Sequence, residues 1–369
     1  MSNLTTVKEP LFHITNRATL KVHYKIIIYT VAILLALFLG GIICSIVAKG
    51  DPFYFFTSLF EGVFGTSRKR WIFLRDTALL VCVSMSLVPA FRMKFWNLGG
   101  NGQVLIGGLA TAICMFYLGG KVSEGALIAI MFVASIVASV IWSVIPALLK
   151  VFFNANETLL TLMMNYIAAG LITLCISIWV KSGSGKLPEL VYGNIPDIIN
   201  PHFLIVLVGV LVTVFMVIYL KMTKHGYELS IVGDSPNTAR YCGMKVKKIV
   251  IRTMVLSGII CGIVGLLLVG SIGHTIGVNT ANNMGFTAIM TTWLANCNPI
   301  FMVLTCLLVT FISTGMKQVR MNFGMTNDST ANLIIGILYF FIIACAFFVK
   351  YKVIFRKKEK ETESKGGKE

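Results

Sequence analysis

From Thr253 to Met316 the chain runs 64 residues without an Asp, Glu, Lys or Arg. A membrane-spanning helix uses about 20 apolar residues, so that stretch holds about three crossings. Breaks at Gly273–Gly285 and Asn296–Pro299 divide it. The remainder agrees: 56% of the residues are hydrophobic and 13% are charged, against roughly 25% charged in a soluble domain. A soluble enzyme, a disordered tail protein and a single-anchor receptor are excluded. So is an outer-membrane barrel, whose strands alternate polar and apolar residues.

Other uncharged runs give further spans at Ile26–Ala48, Ile72–Phe91, Val104–Gly120, Ala126–Leu149, Thr158–Val180 and Phe203–Leu220, with the last near Thr330–Val349. The first is too long for the apolar core of a signal peptide and reads as an uncleaved span. The expected fold is therefore all-α: a polytopic membrane bundle of about ten transmembrane helices with broken or re-entrant segments. Residues 1–25 form a cytoplasmic N-terminal segment, 26–349 the membrane domain with a cytoplasmic loop at 221–252, and 350–369 a mixed basic and acidic tail.

The net charge of +17 speaks first to topology, because the Lys and Arg residues lie between and beyond the apolar runs. With both termini cytoplasmic, 22 of the 32 basic residues fall inside, as the positive-inside rule demands. Arg68-Lys69-Arg70 and Arg75 are the exception, placed outside. No nucleic-acid role follows from this charge. The nine Cys form no C-x-x-C pair, and most sit in apolar runs as small hydrophobes, so neither a disulfide framework nor a metal site is expected.

Three stretches are not merely apolar. Arg92–Gln103 carries Asn97, Gly99, Gly100, Asn101, Gly102 and Gln103 where membrane would otherwise continue. It reads either as a broken helix lining a pathway or as a loop between spans, since non-helical backbone at membrane depth survives only against protein or a wet cavity. Asn154-Ala155-Asn156-Glu157 precedes a span that contains Asn165. Asn154 or Asn156 suits an N-cap and Glu157 the first turn, where the helix dipole favours it. Glu157 is alternatively a gating residue, and Asn165 either lines a cavity or bonds a neighbouring helix. In the loop 221–252, Asp234 or Ser235 is a cap, Pro236 a first helical residue and Gly243 a terminator, which predicts a two-turn helix over Pro236–Cys242. So short a helix needs a surface to dock on.

No G-x-x-x-x-G-K-[ST] occurs, nor H-E-x-x-H, nor G-x-S-x-G, and no span carries a row of acidic residues. No cofactor is expected, and any energy source comes from another chain.

In this order the polar stretches resemble the permease subunits of ATP-binding-cassette importers, in the branch serving nucleosides, simple sugars and branched amino acids. The nucleoside and simple-sugar type fits best. Asn97-Leu98-Gly99-Gly100-Asn101-Gly102-Gln103-Val104-Leu105-Ile106-Gly107 stands for N-I-G-x-E-G-Q-x-L-x-G. Asn156-Glu157 with Thr161-Leu162-Met163-Met164-Asn165-Tyr166 stands for N-E-x-x-x-T-L-M-x-N-Y. Tyr227-Glu228-Leu229 through Gly233, Ala239, Tyr241 and Gly243 stands for the ATPase-contacting loop, and Ser257-Gly258, Gly285-Phe286 and Asn298-Pro299 complete the set. Asn101 departs from the usual Glu, Ser230-Ile231 from Arg-Ala, and Asn296-Cys297 from a Leu-Gly approach to Asn-Pro.

The resemblance implies a transporter subunit without an ATPase site of its own, translocating a nucleoside or simple sugar by alternating access in the plasma membrane. It implies ABC ATPase subunits, a second permease subunit (identical or different), an extracytoplasmic substrate-binding lipoprotein and the lipid bilayer as partners. It places Asn97, Gly99, Asn101, Gly102, Gln103, Glu157, Asn165 and Phe286 on the substrate pathway. Gly226, Glu228, Gly233, Asp234, Pro236, Ala239, Arg240 and Gly243 fall in the coupling loop, with Ala239 placed for close contact with the ATPase. The alternative class is a secondary transporter or channel, which also uses broken helices.

The charge bias sets a first test. A reporter active only outside the membrane, fused to the C-terminus, is expected to be silent. Strong activity would overturn the even-span topology.

Overall fold

A computed structural model describes residues 12–16, most of 31–46, 51–180, 186–196, 200–325, most of 332–344, and 351–355. The described helices are α1 (Leu37–Ile46), α2 (Pro52–Phe64), α3 (Ser67–Arg92), α4 (Gly100–Leu118), α5 (Glu124–Phe153), α6 (Glu157–Trp179) and α7 (Phe203–Met222). They continue with α8 (Lys224–Asp234), α9 (Pro236–Tyr241), α10 (Val246–Leu267), which runs into a π-helical turn at Leu268–Gly273, α11 (Met284–Leu294) and α12 (Pro299–Asn322). Two compact units result, one of Met1–Thr57 with Arg320–Glu369 and one of Ser58–Val319.

Seven of the described helices are long and apolar enough to cross a membrane, not about ten. One reason lies in the 64-residue uncharged run. It supplies the greater part of α10 and most of α12, but its middle segment forms only the 11-residue α11. At about 1.5 Å per residue that helix rises some 16 Å, half of the ~30 Å hydrocarbon core. Left-handed backbone at His274, Asn282 and Asn283 consumes the intervening residues in turns. The first and last expected spans, Ile26–Ala48 and Thr330–Val349, lie partly outside the described residues.

In the first unit, the all-α expectation meets an exception. Strands β1 (Phe12–Asn16) and β2 (Tyr351–Phe355) pair antiparallel, Phe12 opposite Phe355 and Asn16 opposite Tyr351.

The second unit sorts its helices by burial. α3 is buried continuously from Thr77 to Ala90, and α4 from Gly100 to Leu109. A helix apolar and buried all round lies inside a bundle. By contrast α5, α6 and α7 expose Phe132, Ile141, Ile167, Leu174, Val210 and Leu211. Exposed apolar surface on this scale belongs against lipid. Arg68-Lys69-Arg70 forms the first turn of α3, capped by Thr66, whose hydroxyl accepts from the Lys69 N–H. Arg75 pairs with Asp76 at 2.8 Å.

Helices α4, α5 and α10 meet along a seam of small residues. Ser135, Ser139 and Ser143 line one face of α5, all fully buried. Opposite them, a Cβ on Gly258 would lie 2.7 Å from Val140 Cα, and one on Gly262 2.8 Å from the Ser135 carbonyl. On the α4 side, a Cβ on Gly265 would stand 2.5 Å from both Gly108 N and Val104 O. Without a hydrophobic drive between helices in lipid, such close backbone approach supplies the packing energy.

Gly265→Val is therefore expected to destabilise the chain by about 1–3 kcal/mol or more, because backbone on the facing helix cannot yield. Gly125→Ala, where nothing lies within 4 Å, is the control. Thermal unfolding of the purified chain in detergent reads the difference: a lowered midpoint for the first and an unchanged one for the second.

Candidate functional site

The chain leaves helical geometry between Arg92, the end of α3, and Gly100, the start of α4. Lys94 adopts left-handed backbone at φ 57°. Along this segment Met93, Phe95, Asn97 and Gly99 are buried, while Lys94 and Trp96 are exposed. Its polar groups must find partners inside the protein.

Asn97 supplies several. Its Oδ1 accepts from the Gly99 N–H at 3.0 Å, and its Nδ2 donates to Ser257 Oγ at 3.1 Å. Ser257 donates in turn to Gln103 Oε1 at 2.8 Å, and Gln103 Nε2 closes the ring on Asn97 Oδ1 at 3.5 Å. Asn165 bridges the break from α6, accepting from the Gly102 N–H at 2.8 Å and donating to the Leu98 carbonyl at 2.9 Å. Thr161, one turn earlier, accepts from the Leu98 N–H at 3.1 Å. Gly102 is required here, because a Cβ would sit 2.9 Å from Asn165 Oδ1.

Asn101 differs from the other amides. It is buried, and its Oδ1 has no hydrogen-bond partner. The short helix α11 presses on it: a Cβ at Gly285 would lie 2.3 Å from the Asn101 nitrogen. Phe286, next along, is 38% exposed. The structure thus gathers Asn97, Gly99, Asn101, Gly102, Gln103 and Asn165 around one break, with Phe286 beside it. Glu157 is not in this cluster. Its carboxylate pairs with Lys150 at 2.9 Å, while Asn156 caps α6 by accepting from the Thr158 and Leu159 N–H groups. Ser257 and Thr161 join the site unsingled by physical reasoning, because their partners lie 154 and 63 residues away.

A second cluster caps one end of the same bundle. α9 spans Pro236–Tyr241, within a residue of the expected Pro236–Cys242, with Ser235 as cap and Gly243 at φ +76° beyond it. The preceding helix α8 was not foreseen. Its glycines serve close approach: a Cβ at Gly226 would meet the Leu220 carbonyl at 2.2 Å, and one at Gly233 the Arg92 carbonyl at 2.0 Å. The Arg92 guanidinium also donates to Leu220 O at 3.4 Å. Thus α8 seats directly on the last residue of α3, where the break begins.

Glu228 accepts from Arg252 Nη2 at 2.8 Å. Burial raises the Glu228 pKa, but hydrogen bonds from Arg252 and His225 outweigh it and hold the carboxyl below its usual value. Ala239, expected to face outward, is fully buried within the chain itself. The outward face of the element carries Asp234, Pro236, Arg240, Gly243 and Tyr241, the last 92% exposed.

Residues 70–343 match the family described as the permease component of branched-chain amino acid transport systems. The chain is 25% identical over 335 residues to the guanosine ABC transporter permease protein NupP of Bacillus subtilis, covering 87% of this chain and 93% of that one. It is 24% identical over 347 residues to the nucleoside ABC transporter permease protein NupB of Lactococcus lactis, at 89% and 92% coverage. Against the glucose ABC transporter permease protein TsgB13 of Haloferax volcanii it is 25% identical over 290 residues, at 74% and 76%. No solved structure matches significantly.

The amides separate by experiment. Asn97→Ala takes the Oδ1 acceptor from the Gly99 N–H and from Gln103 Nε2, at a cost of about 1–3 kcal/mol for a buried group left unpaired. Asn101→Leu removes an oxygen that had no partner, so its unfolding midpoint is expected to stay at or above that of wild type. Thermal unfolding in detergent checks both, and equal losses would refute the distinction.

Proposed function

The chain belongs to the permease family of branched-chain amino acid transport systems, and from that premise we propose that it is the membrane subunit of an ATP-driven importer for nucleosides. Two permease chains, two ATPase chains and an extracytoplasmic binding lipoprotein complete the machine. The nucleoside assignment draws support from relatives named for guanosine and nucleoside transport.

One observation carries the mechanism: the α8–α9 element rests, through Gly233, on the backbone of Arg92. ATPase closure pushes α9 from the cytoplasm. α8 passes the displacement to the end of α3. The non-helical residues between Arg92 and Gly100 act as the hinge, and the amide cluster beyond it re-tilts to open the opposite side. Asn101, whose oxygen has no internal partner, hydrogen-bonds the solute in passage. The β1–β2 pair supports placing both ends of the chain on one side of the membrane, since two hydrogen-bonded strands share a side, and the basic residues flanking the first and last apolar runs favour the cytoplasmic one. The chain performs no hydrolysis; it is a transport subunit and not an enzyme.

Tyr241→Asp tests the coupling surface. Its ring is almost wholly exposed in the single chain, so folding is not at risk. At a docked interface the new carboxylate would be desolvated, and 1.4 kcal/mol already costs tenfold in affinity. The variant is expected to insert normally yet lose the ATPase on co-purification by more than tenfold. Asn101→Leu should do the reverse, keeping the ATPase and losing uptake. A Tyr241→Asp chain that retains its ATPase and transports normally would remove the mechanical basis of the importer reading.

A further inference from the structure

On the α8–α9 side of the break lies a cavity of about 230 Å³, lined by Phe91, Lys94, Trp96, Trp293, Asn296 and Cys297. Two short segments build it, the end of α3 with the residues after it and the end of α11 with the turn that follows. The Trp96 and Trp293 rings meet at 4.9 Å between centroids, tilted by 46°, and Phe91 packs against Trp96 at 5.9 Å. Neither indole is sunk in the core: Trp293 is 54% exposed and Trp96 38%.

Backbone conformation points to the same place. Lys94, Asn296 and Cys297 all take left-handed φ, at 57°, 49° and 55°. Asn tolerates that region, but Lys and Cys enter it at a cost, and such outliers cluster at ligand clamps and active sites. Here the three outliers sit beside the two indoles in the lining of one cavity.

We propose that this cavity is a stacking subsite for the base of an oxopurine nucleoside, occupied as the solute leaves the pathway on the ATPase side. The proposal deepens the transport reading above and rests on it. An aromatic face holds any planar base by stacking, worth roughly tenfold to a hundredfold in affinity per base. The volume, below the 300–1,000 Å³ of drug-sized sites, suits one fused ring system with its ribose outside. Lys94 has donors only, which matches the adjacent carbonyl and ring-nitrogen acceptors on an oxopurine edge. Asn296 offers both a donor and an acceptor. With the rings already in contact at 4.9 Å, the base lies on the open face of Trp293 rather than between the indoles.

The test uses the assembled transporter in proteoliposomes, with inosine and purine riboside, which lacks the 6-oxo group, as probes. Half-saturation of uptake is measured for wild type, Trp293→Ala, Trp293→Phe and Lys94→Met. Support consists of a tenfold to hundredfold rise for both probes in Trp293→Ala, recovery to within a few-fold in Trp293→Phe, and a rise confined to inosine in Lys94→Met. The inference is overturned if Trp293→Ala leaves half-saturation unchanged, or if Trp293→Phe is as impaired as Trp293→Ala, which would make the indole an interfacial anchor. It is overturned too if Lys94→Met affects both probes alike. Wild-type transporter that carries neither probe would overturn the nucleoside reading as well, whereas normal wild-type uptake with indifferent variants removes this subsite alone.

Discussion

Backbone N–H and C=O groups buried away from water need partners, and in this chain that demand is sharpest between Arg92 and Gly100, where helical geometry lapses. The Met93 and Phe95 N–H groups still turn back to the Pro89 and Ala90 carbonyls, but the buried polar groups from Asn97 to Gly99 have no helix to serve them and would be costly if left unpaired. The protein answers with side-chain amides and hydroxyls from the break itself and from two helices: Asn97 from the break, Asn165 and Thr161 from α6, Ser257 from α10. Those partners dictate which helices must surround the break. They also explain why α3 and α4 are enclosed while α5, α6 and α7 present Phe, Ile, Leu and Val outward.

The glycine seam follows from the same requirement. Hydrogen bonds of about 3 Å from Ser257 on α10 to Asn97 and Gln103 require the α10 backbone to pass very close to α4. Gly262 and Gly265 permit this, facing Gly107 and Gly108, and the serines of α5 continue the narrow contact on the other flank. Ser139 adds a bond of its own to the Gln103 carbonyl at 3.0 Å. Small residues and polar residues are therefore two aspects of one interface. The first bring the helices close enough for the second to bond across them, in a medium where neither lipid nor water would substitute.

What the sequence reveals depends on how local the cause is. The uncharged runs located α4 to α7 within a few residues, because apolar length and flanking polar residues are properties of a window. Ser235, Pro236 and Gly243 located α9, because capping acts across one or two turns. Pairings across the fold were not legible. Nothing near Gly285 announces that it touches Asn101, 184 positions earlier by numbering, or that Trp293 meets Trp96. The burial of Ala239 is not legible either, since capping signals state where α9 begins and ends but not which of its faces packs inward. The length of α11 was hidden for a different reason. An uncharged run states that a segment belongs in the membrane, but only the turns at His274, Asn282 and Asn283 decide how much of it remains helical.

Half-length helix α11 then acquires a meaning that its apolar sequence conceals. One face, Gly285, Ala288, Thr291 and Thr292, is buried. At that face Thr291 shares a hydroxyl contact of 2.8 Å with Ser84 of α3, and Gly285 lies against the start of α4. The other face carries Phe286 and, seven residues on, Trp293, both exposed. Two residues seven apart lie on the same side of a helix. So α11 runs beside the break from the unpartnered Asn101 oxygen at one end to the aromatic cavity at the other. The helix it rests on is α3, the one whose last residue Gly233 bears on. The start of α4, the wall of α3 and the aromatic surface at Trp96 are thus joined through a single short helix, which meets the first through Gly285, the second through Thr291 and the third through Trp293.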